Sequence, residues 1–134
     1  MKAHLNRRYH FSASHRLHTD AFDAAKNHAV FGKCNNPHGH GHNYTVQVTL
    51  SGQVDPSTGM VCNLADLDVF AQTNLLGRFD HMNLNTMDCF ANTVSTTENL
   101  SIEISLYKEE QIRIPQPDTR KWRTRGSGQI GECL

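Results

Sequence analysis

The stretch Cys34-Asn35-Asn36-Pro37-His38-Gly39-His40-Gly41-His42-Asn43-Tyr44 sets a thiol and three alternating histidines among turn-forming residues. The residues directly after it decide the fold. From Tyr44 onward Val46, Val48 and Leu50 alternate with Thr45, Gln47 and Thr49, the pattern of a half-buried strand with its even-numbered side chains inward. His38, His40 and His42 share that parity. With the strand starting near His40, its imidazoles stand on the core face one pleat apart. Two such rings can grip one metal ion if a third ligand arrives from elsewhere. A single His-x-His reads as a surface turn; the pairing, the inward parity and the nearby thiol point to a metal site.

The third ligand has a candidate. Between Leu5 and Leu17 the odd positions Leu5, Tyr9, Phe11, Ala13 and Leu17 are apolar, spoiled only by Arg7, and the even ones are mostly polar. This second strand pattern puts His15 on the buried side. His18 lies off that face and is the weaker candidate.

At 134 residues the chain makes one domain. Its formal net charge of +0 gives no overall polyanion-binding surface. No apolar run is long enough to cross a membrane, and the N-terminus lacks the apolar core of a secretory signal. The four cysteines are widely spaced, without a Cys-x-x-Cys pair, which fits a reducing cytoplasm better than a disulfide framework. Nine histidines are an excess that points to chemistry.

Elsewhere, Thr19 to Gly32 reads as a loop or short helix. Asp55-Pro56-Ser57-Thr58-Gly59 is turn chemistry, after which Met60-Val61 is expected to start a returning strand. Asn63 stands as an N-cap before Leu64, Leu67, Ala71, Leu75 and Phe79 at helical spacing, with Gly77 as a stop. Ser95-Thr96-Thr97-Glu98 has the form of a capping box and predicts a second helix. Leu100, Ile102, Ile104 and Leu106 then fit a strand, while Leu100, Ile104 and Tyr107 fit a helix.

Six segments occur in an order that resembles a known family. They are Phe11-Ser-Ala-Ser-His15, Phe31-Gly-Lys-Cys-Asn-Asn-Pro37, His40-Gly-His-Asn-Tyr44, Asp55-Pro-x-Thr-Gly-Met60, Asp80-His81-x-Asn83-Leu84 and Ser95-Thr-Thr-Glu-Asn99. Across roughly residues 9 to 99 they resemble the 6-pyruvoyl-tetrahydropterin synthases of the animal type. The related carboxytetrahydropterin synthases share the histidines. The resemblance implies an α+β fold, the tetrahydropterin-synthase T-fold, in which an antiparallel sheet carries two helices on one face. It implies homo-oligomers, trimers stacked into a hexamer, with active sites between subunits. It assigns zinc to His15, His40 and His42, the base to Cys34, its partners to Asp80 and His81, and the pterin pocket to Thr96, Thr97 and Glu98. His38 stands where the family carries asparagine, as a loop residue or a group behind the ligands.

The implied reaction converts 7,8-dihydroneopterin triphosphate to 6-pyruvoyl-tetrahydropterin with loss of triphosphate, magnesium accompanying the triphosphate. Three neutral imidazoles leave zinc an open coordination position, and a thiol takes a proton well only as the thiolate, which nearby positive charge favours. The last third departs from the pattern. Leu106-Tyr107-Lys108 resembles the start of a later family strand, and the place of the family's ring-anchoring glutamate falls near Arg113. The C-terminal hairpin is thus expected to be missing or altered, with residues 1–114 as the domain and 115–134 as a basic, disordered tail. This departure supports a second reading, a zinc-binding homologue without turnover that acts as a subunit or partner of a full-length relative. Nucleic-acid binding by the tail is set aside, since Trp122 is its one aromatic.

Overall fold

The computed structural model describes residues 1–111. Two long strands, β1 (Lys2–His15) and β2 (His40–Gln53), pair antiparallel along their whole length, from Lys2 opposite Gln53 to His15 opposite His40. The alternation in each strand is realised. Tyr9, Phe11, Ala13 and His15 are buried on one face with Tyr44, Val46 and Leu50. The other face is a polar ladder of cross-strand pairs: Asn6 with Thr49 at 2.7 Å, Arg8 with Gln47 at 3.1 Å, and Ser12 with Asn43 at 2.6 Å. A short strand, β3 (Met82–Asn83), adds to β1 in parallel at Ala13–Ser14, so the sheet is mixed, in the order β2-β1-β3.

Arg7, the charge on the apolar face, is answered from the helical layer. Asp68 accepts from Arg7 Nε at 3.0 Å and Nη2 at 2.7 Å, and from the Tyr9 hydroxyl at 2.9 Å.

The connection between the long strands carries α1 (Ala24–Phe31), capped by Asp23, whose carboxylate accepts from the Lys26 N–H at 2.8 Å. After β2 the expected returning strand at Met60-Val61 does not form. Gly59 closes onto Asp55, the Asp55 N–H donates to the Met60 carbonyl at 2.9 Å, and the chain passes directly into α2 (Leu64–Ala71). Asn63 caps α2 by accepting from the Ala65 N–H at 2.9 Å. The helix runs on through a π-helical turn (Gln72–Leu76) into α3 (Gly77–Phe79), so Gly77 does not end it. Instead the Gly77 N–H reaches back to the Gln72 carbonyl, where a Cβ on residue 77 would stand only 2.9 Å from that oxygen. Glycine is there for close approach, and the widened turn depends on it.

Helix α4 (Thr97–Gln111) resolves the ambiguous stretch as helix: Leu100 is buried, whereas Ile102 is 57% exposed. Its cap sits one residue later than expected, since Thr96 Oγ1 accepts the Asn99 N–H at 3.2 Å. Residues 106–108, which resemble the opening of a strand, fall within α4. The expected altered hairpin, Arg113 and the tail at 115–134 lie outside the described residues.

Leu67 and Ala71 from α2, Leu75 from the π-helical turn and Phe79 from α3, with Leu100 from α4, cover the apolar sheet face. The α+β expectation of a sheet with helices packed on one face holds, while the expected antiparallel sheet is mixed, because the short β3 adds to β1 in parallel. Phe79, 1% exposed and with its ring centroid 6.0 Å from that of Phe11, joins sheet to helix. Phe79→Ala should cost about 3–5 kcal/mol in equilibrium urea unfolding; a loss below about 1 kcal/mol would place the core elsewhere.

Candidate metal centre

The register of β1 against β2 puts His15 opposite His40, with His42 one pleat further along β2. All three rings face the buried side. Their centroids lie 4.7 Å (His15–His40), 4.9 Å (His15–His42) and 4.6 Å (His40–His42) apart, each pair edge-on. One nitrogen from each lies within 4.8 Å of the others. Gly39 makes this approach possible, because its φ of +72° turns the chain into β2 and a Cβ would stand 3.1 Å from the His15 carbonyl.

The donor set suits a metal. His15 Nδ1 donates to the Ser95 carbonyl at 2.6 Å, which leaves the lone pair of Nε2 free. That Nε2 lies 3.1 Å from His40 Nε2, close to the roughly 3.3 Å between ligand nitrogens of a tetrahedral zinc with bonds of about 2.0–2.1 Å. His40 Nδ1 is buried with no hydrogen-bond partner among the described residues. Burial first, and the neighbouring rings after it, hold His15 and His42 below the ordinary imidazole range, so they stay neutral, as ligands must be.

Cys34 sits in the 3₁₀ turn Gly32–Asn35, half-buried, its carbonyl accepting the Leu17 N–H at 2.8 Å just past β1. Its side chain acts on Tyr44: burial, and then the Cys34 thiol, push the Tyr44 hydroxyl up to about 12. Tyr44 in turn packs beside His42, ring centroids 5.9 Å apart. Cys34 is not one of the converging donors.

Asp80 and His81 are paired, Oδ2 to Nδ1 at 3.0 Å, but His81 is not one of the converging rings. The pair is fastened to the edge of β1. Asp80 Oδ1 accepts the Ser12 N–H at 2.9 Å, and the His81 N–H donates to the Ser12 carbonyl at 2.6 Å. The Ser12 bond is the main reason the Asp80 carboxyl lies below its usual range. His81 holds a left-handed φ of +59° and leaves its side chain 84% exposed, over a hollow shared with Ser12, Ser14, Asn43 and His42. Such a conformation in a non-glycine residue is held by its surroundings.

A sequence model described as 6-pyruvoyl tetrahydropterin synthase matches residues 4–125. The chain belongs to the 6-pyruvoyl tetrahydropterin synthase family. It is 53% identical over 117 residues to the 6-pyruvoyl tetrahydrobiopterin synthase of Drosophila melanogaster, covering 87% of this chain and 68% of that one. Against the Homo sapiens protein of the same name, identity is 51% over 105 residues, covering 77% and 72%. The solved Caenorhabditis elegans 6-pyruvoyl tetrahydropterin synthase superposes with a TM-score of 0.74 at 44% identity, covering 79% of this chain and 76% of that chain. The family match runs well past residue 99, where the recognised segments stop.

In this family member a cavity of about 570 Å³ opens beside His15, bordered by Arg16, His18, His38, Asn92 and Thr93. His38 and His18 belong to this cavity and not to the converging set. His18 is taken by Asn35, 3.1 Å from its Nδ1, and faces Asp20 at 3.4 Å. Thr96, Thr97 and Glu98 form the entry to α4, directly after the Ser95 carbonyl that holds His15. That carbonyl was invisible to sequence reasoning, because a backbone acceptor leaves no mark in residue type. Among the described residues no helix is long and apolar enough to cross a membrane.

The buried imidazoles set a pH dependence. Their folded values lie below the ordinary 6.5, so on acidification the unfolded chain takes up protons first. Stability of the metal-free protein is then complete above about pH 6.5 and lost progressively below it. The thermal midpoint measured without metal should fall between about pH 7 and pH 5; a flat profile there would contradict the neutral assignment.

Proposed function

We propose that this chain is a zinc-dependent lyase that converts 7,8-dihydroneopterin triphosphate to 6-pyruvoyl-tetrahydropterin, releasing triphosphate in tetrahydrobiopterin synthesis. The observation that carries the reading is the convergence of three imidazoles at one end of the paired strands in a member of this family. His15, His40 and His42 would hold the zinc. The metal would supply a Lewis acid for the hydroxyls of the substrate side chain.

The chain's own groups do the rest. Cys34 takes the proton from the substrate carbon. Asp80 orients His81, which as imidazolium favours the thiolate and returns the proton. Loss of triphosphate and the internal shift of electrons along the side chain balance without an external reductant. Thr96, Thr97 and Glu98 line the ring pocket, and magnesium accompanies the triphosphate. A homo-oligomer, trimer or hexamer, fits the sheet: among the described residues the outer edge of β2 is unpaired, and the far side of β1 is paired with a strand only at Ala13 and Ser14, next to the Asp80 and His81 bonds to Ser12, so both edges invite further strands. His81, exposed at one of those edges, is available to a neighbouring subunit's Cys34. A cytoplasmic location accords with the thiols and with this substrate.

The test pairs zinc content with triphosphate release from 7,8-dihydroneopterin triphosphate. The wild type should hold one zinc per chain and turn over. Cys34→Ala should keep its zinc and lose about 10²–10⁴-fold in turnover, whereas His40→Ala should lose both. Zinc bound by the wild type without any triphosphate release would leave a metal-binding homologue and defeat the enzyme reading.

A further inference from the structure

We propose that Asn99 is a positioning residue for the metal centre: its side-chain amide holds the turn that aims the Ser95 carbonyl at His15, and so couples the first turn of α4 to zinc affinity. The inference rests on the zinc reading above. It adds a residue that neither the ligand set nor the ring pocket includes.

His15 needs its Nδ1 proton held elsewhere if Nε2 is to face a cation, and the Ser95 carbonyl at 2.6 Å does this. The two partners come from different layers. His15 is fixed by the ladder of β1 and β2, while Ser95 precedes a helix packed on the far side of the core. The carbonyl can be aimed only if the turn carrying it is rigid.

Three bonds make it so. The Thr96 N–H donates to the Val94 carbonyl at 2.8 Å, closing a three-residue turn with Ser95 at its centre. Asn99 Nδ2 donates to the same Val94 oxygen at 2.8 Å, tying the turn to α4. The Asn99 N–H is in turn accepted by Thr96 Oγ1 at 3.2 Å. The assembly is also packed tightly, Ser95 being 0% and Leu100 2% exposed. The route is therefore short and continuous: Asn99 amide, Val94 carbonyl, Ser95 carbonyl, His15 ring. Because a coupling between two sites is reciprocal, ordering of α4's first turn by a ring bound at Thr96 to Glu98 would tighten the metal, and the metal would tighten the ring.

Asn99→Asp isolates the donor. The carboxylate has nearly the same shape and is favoured in the first turn of a helix, but it cannot donate to Val94. If Asn99 served only helix stability, Asn99→Asp would fold and bind zinc like the wild type. The full chain and its Asn99→Asp and Asn99→Ala variants are titrated with zinc against a competing chelator, and the metal-free thermal midpoint is read alongside. The proposal expects both variants to bind zinc at least about tenfold more weakly, within the range that outer partners of metal ligands command. It expects Asn99→Asp to keep the wild-type midpoint. In metal-free protein the His15 Nδ1 proton should be seen by nitrogen-resolved NMR in the wild type and be lost to a tautomer mixture in Asn99→Asp. Zinc affinity of Asn99→Asp within twofold of wild type, or a loss matched by a collapsed midpoint, would overturn the inference alone. A wild type that takes up no zinc would remove the metal reading and this inference together.

Discussion

The structure depends on one register, the pairing that sets His15 opposite His40 at the end of a ladder beginning with Lys2 opposite Gln53. Side chains on a strand alternate between faces, so a slip of one residue in either strand would turn its entire inward set to the outside. The pairs further along oppose that slip. Phe11 stacks on Tyr44 with ring centroids 5.1 Å apart, Tyr9 faces Val46, and Leu5 faces Leu50. The same apolar alternation that builds the core thus delivers three imidazoles to one point, and the energy that holds them there is that of the core.

Much of this was written in the residues. Period-two alternation survives tertiary context because burying one face of a sheet leaves no alternative, so both long strands and the inward parity of His15, His40 and His42 were legible. The family could be read for the same reason: its segments cluster at the turns and strand ends that the fold brings together. What was not legible depended on partners distant in sequence. Arg7 spoils an apolar face until Asp68 answers it from a helix 61 positions away. Gly77 has the look of a helix stop, but the π-helical turn needs its missing side chain. Met60 and Val61 suit a strand by composition, yet Asp55 folds the loop back on itself before a strand can pair. Ser95 reaches His15 through its backbone, which no pattern of side chains announces.

The helical layer does more than cover the sheet. The π-helical turn and α3 lead directly to Asp80, in an extended conformation, and to His81, which is left-handed and faces outward, both bonded to the edge of β1. The start of α4 supplies the carbonyl behind His15 and carries Thr96, Thr97 and Glu98. The Asp80–His81 pair and the ring-pocket candidates therefore hang from the two helices, the metal candidates hang from the strands, and Cys34 sits on the turn that joins those strands.

The central claim is that three imidazoles, and not the neighbouring thiol, hold one zinc. X-ray absorption at the zinc edge of the loaded protein tests it directly. The account predicts a first shell of nitrogen and oxygen at about 2.0–2.1 Å with outer-shell scattering from imidazole rings, and no sulfur. A sulfur contribution at about 2.3 Å, or a shell without imidazole scattering, would contradict it.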